Sequence, residues 1–137
     1  MCGIAGGWWP QSGQARIQLS KSLLAMQYRG PDDQGIELYD FAASSVALAQ
    51  VRLSIIDLTA AGHQPMYSRD GRWAIVFNGE IYNYRELRTE LQALGHDFST
   101  DTDTEVLLTA WKQWGAACLP RFAGMFAFAV LDKKNNL

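Results

Sequence analysis

This chain is short of several things, and each shortage narrows what it can be. Only two of its 137 residues are cysteines, Cys2 and Cys118. They are too few and too far apart for a disulfide framework or a thiolate zinc site, and a reducing, cytoplasmic setting is the default expectation. The two histidines, His63 and His96, sit far apart in Gly-flanked polar segments, so no metal site is expected. No apolar stretch approaches the ~20 residues that span a bilayer. The start lacks the basic region and apolar run of a secretory signal. Lys and Arg number 12 against 14 Asp and Glu, for a formal net charge of -2. With no basic run, there is no general pull toward nucleic acid. Internal repeats and low-complexity segments are also missing.

What is present is core-forming. Hydrophobic residues make up 48% and aromatics 12%, which argues for one folded domain, or part of one, and against disorder. Residues 2–9, CGIAGGWW, read as a short strand of small residues that can lie close to neighbouring backbone. Leu19, Leu23 and Met26 have helical spacing within 16–28, and RGPDDQG (29–35) ends that helix. Strands are expected at 36–41 and 45–56. A long irregular segment follows, of a kind that often carries function. WAIVFNGEIYN (73–83) reads as an apolar strand running into a tight turn at Asn78-Gly79, then a second extended piece. Asn83 with Glu86, and Thr102 with Glu105, have capping-box spacing. The first opens helix 84–94, which Gly95 closes; the second opens a helix carrying Val106, Leu107, Ala110, Trp111 and Trp114, which stops at Gly115. The apolar run 123–132 reads as a strand buried on both faces. Such a strand needs neighbours, so the chain is expected to be cut inside its domain.

Four features carry chemistry, each with an ordinary alternative. Cys2 alone reads as a small buried thiol. If Met1 is removed, Cys2 also owns a free α-amino group with an unperturbed pKa of ~7.7–8.0. An N-terminal amine is a recognised activator of a nucleophile, and no histidine is obviously placed to serve instead. Asn78-Gly79 is a turn, or else an oxyanion hole made of a side-chain amide and a backbone N–H. Arg52, inside an apolar strand, needs a partner because an unpaired buried charge is expensive. It belongs to an internal ion pair, snorkels from a strand edge, or grips a substrate carboxylate in bidentate fashion. Asp103, at a helix start, favours the helix dipole or holds a substrate ammonium. Arg52 and Asp103 together would suit the zwitterionic end of an amino acid.

MCGIAG, YRGPD, VRLSIID, GHQPM, FNGEIYNY, TDTE and GMFAFA occur here in that order. This set resembles the glutaminase domain of glutamine-hydrolysing asparagine synthetases, class II glutamine amidotransferases of the N-terminal-nucleophile hydrolase family. The resemblance covers nearly the whole chain, 1–137. It implies an α+β fold, a four-layer αββα sandwich that is C-terminally incomplete here. Cys2 would be the nucleophile and its α-amine the general base. Asn78 and Gly79 would form the oxyanion hole. Arg52 would hold the glutamine α-carboxylate, and Asp103 its α-amino group, with Glu80 nearby. The backbone of Leu53, Ser54, Ile55 and Ile56 would line the glutamine pocket. Family members often read HRGPD. Here Tyr28 replaces that His, as in the related glucosamine-6-phosphate amidotransferases, which bears on the ammonia acceptor.

The partners implied are L-glutamine and a synthetase domain in the same full-length chain; a homodimer stays open. No cofactor is expected in this domain, and ATP and Mg are expected in the missing synthetase domain. Three other readings remain: an amidotransferase serving a sugar phosphate or phosphoribosyl pyrophosphate, an N-terminal-nucleophile peptidase or acylase, and a non-catalytic domain.

Overall fold

The computed structural model describes residues 2–10, 14–54 and 60–135. These residues form two three-stranded antiparallel sheets. The first has the order β1-β3-β2, built from β1 (Gly3–Trp9), β2 (Asp33–Phe41) and β3 (Ser44–Arg52). The second has the order β4-β5-β6, built from β4 (Met66–Tyr67), β5 (Trp73–Ile81) and β6 (Gly124–Asp132). Between β1 and β2 runs α1 (Ala15–Met26); α2 (Tyr84–Ala93) and α3 (Asp103–Trp114) lie between β5 and β6.

The alternation of side chains along a strand sorts these elements into layers. On β3, Ala47, Ala49 and Val51 point to one face and pack with Ala15, Leu19 and Leu23 of α1. The small alanines let the helix lie close to the sheet. The opposite face contributes Leu48, which joins Tyr39, Ala74, Val76 and Leu131 in a cluster between the two sheets. The other face of β5 carries Ile75, Phe77 and Ile81, packed with Leu87 and Leu91 of α2 and Val106, Leu107 and Ala110 of α3. Three apolar clusters therefore separate four layers: helix, sheet, sheet, helix pair. This is the αββα sandwich, an α+β fold.

Several expectations hold with shifted bounds. The first helix ends at Met26 and continues as a 3₁₀ turn, Gln27–Arg29. β2 begins earlier than expected, at Asp33, and β3 ends earlier, at Arg52. Thr102 caps α3, its Oγ1 accepting from the Glu105 N–H at 3.1 Å. The Glu105 carboxylate bonds Ser99 and Thr100.

Three expectations fail. No turn forms at Asn78-Gly79: β5 runs straight through it, paired with β6 as Asn78↔Ala127 and Gly79↔Phe126. Gly79 has φ 150°, and a Cβ there would come 2.2 Å from the Met125 carbonyl oxygen. The glycine thus serves close strand contact instead of reversal. Asn83 does not cap α2. Its side chain donates to the Arg121 carbonyl and accepts from the Ala123 N–H, both at 2.9 Å, tying the strand exit to β6. β6 is not buried on both faces: among the described residues it is an edge strand, and its face toward the first sheet is open at the start, with Met125 73% exposed, and buried only at Leu131.

Candidate active site

The inward rows of three strands change character at the same end of the sandwich. Along β3 the row facing the second sheet reads Leu48, Gln50, Arg52. Along β5 the row facing back reads Ala74, Val76, Asn78, Glu80. On β1, Ile4 packs beside the cluster between the sheets and pairs with Gln50, and Cys2 is the next residue of the same parity. Each row is apolar in the middle of the sandwich and polar or reactive at its end.

At that end a cleft of ≈ 490 Å³ opens. Cys2, Arg52, Leu53, Asn78, Gly79, Glu80 and Asp103 all line it. Ser54 is not among the lining residues; its N–H donates to Asp32 Oδ2 at 2.8 Å. Ile55 and Ile56 lie outside the described residues.

Cys2 is held by backbone. The Leu53 N–H donates to its Sγ at 3.3 Å, and Sγ lies 3.6 Å from the Leu53 carbonyl oxygen. The Arg29 Nε–H donates to the Cys2 carbonyl at 3.0 Å. Arg29 belongs to the YRGPD segment, so that motif anchors the chain terminus.

Arg52 and Asp103 are 8% and 6% exposed. The guanidinium of Arg52 lies close against Gly62: a Cβ on that residue would fall 2.0 Å from a terminal nitrogen of Arg52. Asp103 stands in the first turn of α3, and its Oδ2 accepts from the Ile81 N–H at 3.1 Å. Burial pushes its carboxyl above the usual aspartate value. Backbone N–H groups of Ile81, Thr104 and Asp103 itself oppose that shift, and the charge of Glu80 adds to it.

Two buried glutamines complete the walls. Gln64 Oε1 accepts from the Phe77 N–H at 2.7 Å, and its Nε2 donates to Thr104 Oγ1 at 3.2 Å. Gln50 Nε2 donates to the Phe77 carbonyl at 2.8 Å. Sequence reasoning did not single out Gln50, Gly62, Gln64 or Thr104. Gly62 and Gln64 stand within GHQPM, Thr104 follows Asp103 in TDTE, and Gln50 is a polar residue in an inward apolar row.

Chemically, the cleft is lined by a thiol, an amide side chain and a glycine backbone. A buried cation and a buried anion flank them. That arrangement can receive a zwitterion and stabilise negative charge developing on a carbonyl oxygen.

A family model for the glutamine amidotransferase domain matches residues 1–137. The chain is similar to the putative glutamine-hydrolysing asparagine synthetase 2 of Methanocaldococcus jannaschii. The two are 40% identical over 151 residues, a match covering 100% of this chain and 29% of that protein. It is also similar to the glutamine-hydrolysing asparagine synthetase 3 of Bacillus subtilis, at 38% identity over 144 residues, covering 100% of this chain and 22% of that protein. The chain thus spans less than a third of the length of these relatives. Among solved structures, the glutamine phosphoribosylpyrophosphate amidotransferase of B. subtilis, complexed with ADP and GMP, superposes with a TM-score of 0.77 at 22% identity. That superposition covers 96% of this chain and 35% of that one, and speaks to the fold.

Proposed function

The chain belongs to the glutamine amidotransferase domain family, and on that premise we propose that it hydrolyses the side-chain amide of L-glutamine through Cys2. The ammonia released then serves ATP-dependent conversion of aspartate to asparagine. One observation carries the reading: Cys2, Asn78, Gly79, Arg52 and Asp103 line a single cleft. The names of the curated relatives support the choice of asparagine as product.

Arg52 grips the α-carboxylate of glutamine, and Asp103, with Glu80 beside it, takes the α-ammonium. Leu53 lines the wall between Arg52 and the thiol. Once Met1 is removed, the α-amine of Cys2 accepts the thiol proton. The sulfur attacks the amide carbon, and the carbonyl electron pair moves onto oxygen. Asn78 and the Gly79 N–H hold that oxyanion. Its collapse breaks the C–N bond, and the α-amine returns the proton to the departing nitrogen, giving ammonia and a glutamyl thioester. Water cleaves the thioester to glutamate and restores the thiol.

ATP and magnesium are assigned to a synthetase region in the rest of the full-length protein. No helix among the described residues is long and apolar enough to cross a membrane. The scarcity of cysteine supports a cytoplasmic setting.

The test is Cys2→Ala in the full-length protein. Glutamate release from glutamine and glutamine-dependent asparagine formation should both disappear. Asparagine formation from free ammonium should remain. Glutamate release that persists in the variant sinks the nucleophile assignment, and loss of the ammonium-driven reaction would mean that Cys2 is needed elsewhere.

A further inference from the structure

β5 is fully paired on one side only. Along β6 it pairs from Trp73 to Ile81. On its other side β4 reaches only Ala74 and Ile75. Past Ile75 that edge has no strand beside it among the described residues, yet it is the edge that meets the cleft. In an antiparallel ladder, alternate residues turn both backbone groups to the same side. Phe77, Gly79 and Ile81 share this open side.

Side chains take the place of the missing strand. Gln64 Oε1 accepts from the Phe77 N–H at 2.7 Å, and Gln50 Nε2 donates to the Phe77 carbonyl at 2.8 Å. Asp103 Oδ2 accepts from the Ile81 N–H at 3.1 Å. Gly79 lies midway between these two fastened residues. Gln64 is 4% exposed, so its amide cannot turn to solvent. Its other end is fixed on Thr104 Oγ1 at 3.2 Å, next in sequence to Asp103.

We infer that Gln64 is a positioning residue: it clamps the Phe77 peptide and so aims Asn78 and the Gly79 N–H at the substrate oxyanion. This rests on the glutaminase reading above and adds a residue to it. One amide joins the strand that holds the oxyanion to the helix end that holds the substrate ammonium. A donor that drifts off its target loses part of the ~10²–10³ rate factor of an oxyanion-hole contact. Glutamine itself is gripped elsewhere, at Arg52 and Asp103, so its ground-state binding changes little.

The experiment is steady-state glutamate release by the full-length protein, comparing wild type with Gln64→Met and Thr104→Val. Methionine keeps the length and apolar contacts of Gln64 and removes both hydrogen bonds. The expected result is a fall in kcat of about 10-fold or more, with KM for glutamine within about twofold. Thr104→Val should give a smaller loss of the same kind. An unchanged kcat in folded Gln64→Met overturns the inference, as does a rise in KM at constant kcat, which would make Gln64 a ground-state binding residue. If Gln64→Met does not fold, Thr104→Val decides on the same terms. A wild-type protein that releases no glutamate removes the reading beneath the inference, and both fall together.

Discussion

Arg52 and Asp103 are charged and nearly withdrawn from water, a costly state for any ion. Their surroundings show how they are kept there. Gly62 leaves the space that the guanidinium of Arg52 occupies. Asp103 accepts backbone N–H bonds that partly offset its burial. Because burial outweighs those bonds, the Asp103 carboxyl takes up its proton at a higher pH than an exposed aspartate does. Only the ionised form pairs with a substrate ammonium. KM for glutamine is therefore expected to rise as pH falls through that raised pKa. Asp103→Asn should show a high KM throughout and lose this acid limb. KM measured across the acid range checks it, and a flat profile down to the ordinary aspartate range counts against the pairing. Residue identity made Arg52 and Asp103 legible, because a charge inside or beside an apolar segment demands an explanation. Gly62 and Gln64 were not legible in that way. Their roles come from who lies across from them, and no local pattern records it.

Among the elements, helices were the most readable. Leu19, Leu23 and Met26, like Leu87, Leu91 and Leu94, recur at i, i+4 and i+7, which a helix brings to one face and a strand does not; Leu19, Leu23, Leu87 and Leu91 are buried. Strand ends and turns were less readable, because tertiary contacts override local preference. Asn-Gly favours a reversal in isolation. Here the full pairing of β5 with β6 stabilises an extended path. Asn83 could cap a helix, but the ends of α2 and β6 lie close enough for its amide to bond there. Thr102 does cap: its Oγ1 accepts from the Glu105 N–H and is held from the other side by the Thr100 hydroxyl at 2.8 Å. Thr102→Ala should accordingly destabilise the protein by about 0.5–2 kcal/mol. Chemical denaturation of the two proteins would show it as a lower midpoint at unchanged slope; equal midpoints would mean that the cap contributes nothing.

At the scale of the molecule, the two sheets share the work of the cleft. Cys2 and Arg52 come from the first sheet, Asn78 and Glu80 from the second. What keeps them opposed is the cluster of Tyr39, Leu48, Ala74, Val76 and Leu131. Leu48→Ala removes the largest aliphatic contribution of β3 to that cluster. It should lower stability by about 2–5 kcal/mol and reduce glutamate release even at temperatures where the variant is folded. A thermal melt with activity measured below it separates the two effects. Full activity in the folded variant would show that the site does not depend on how tightly the sheets meet. The layered fold was expected from the family resemblance. The polar ends of the inward rows become visible only when strands are set side by side.

The pairing of β1 with β3 has one more consequence. Gly3 through Trp9 match Val51 through Ser45 one for one, so β1 acts as a ruler laid along the central strand. Its length and starting mark decide how far the thiol reaches. A shift of one notch would exchange the inner and outer faces of the strand, carrying Cys2 off the cleft wall while leaving every backbone bond available to re-form. In this molecule the reach of the Cys2 thiol is thus a measured length, read from the tryptophan end.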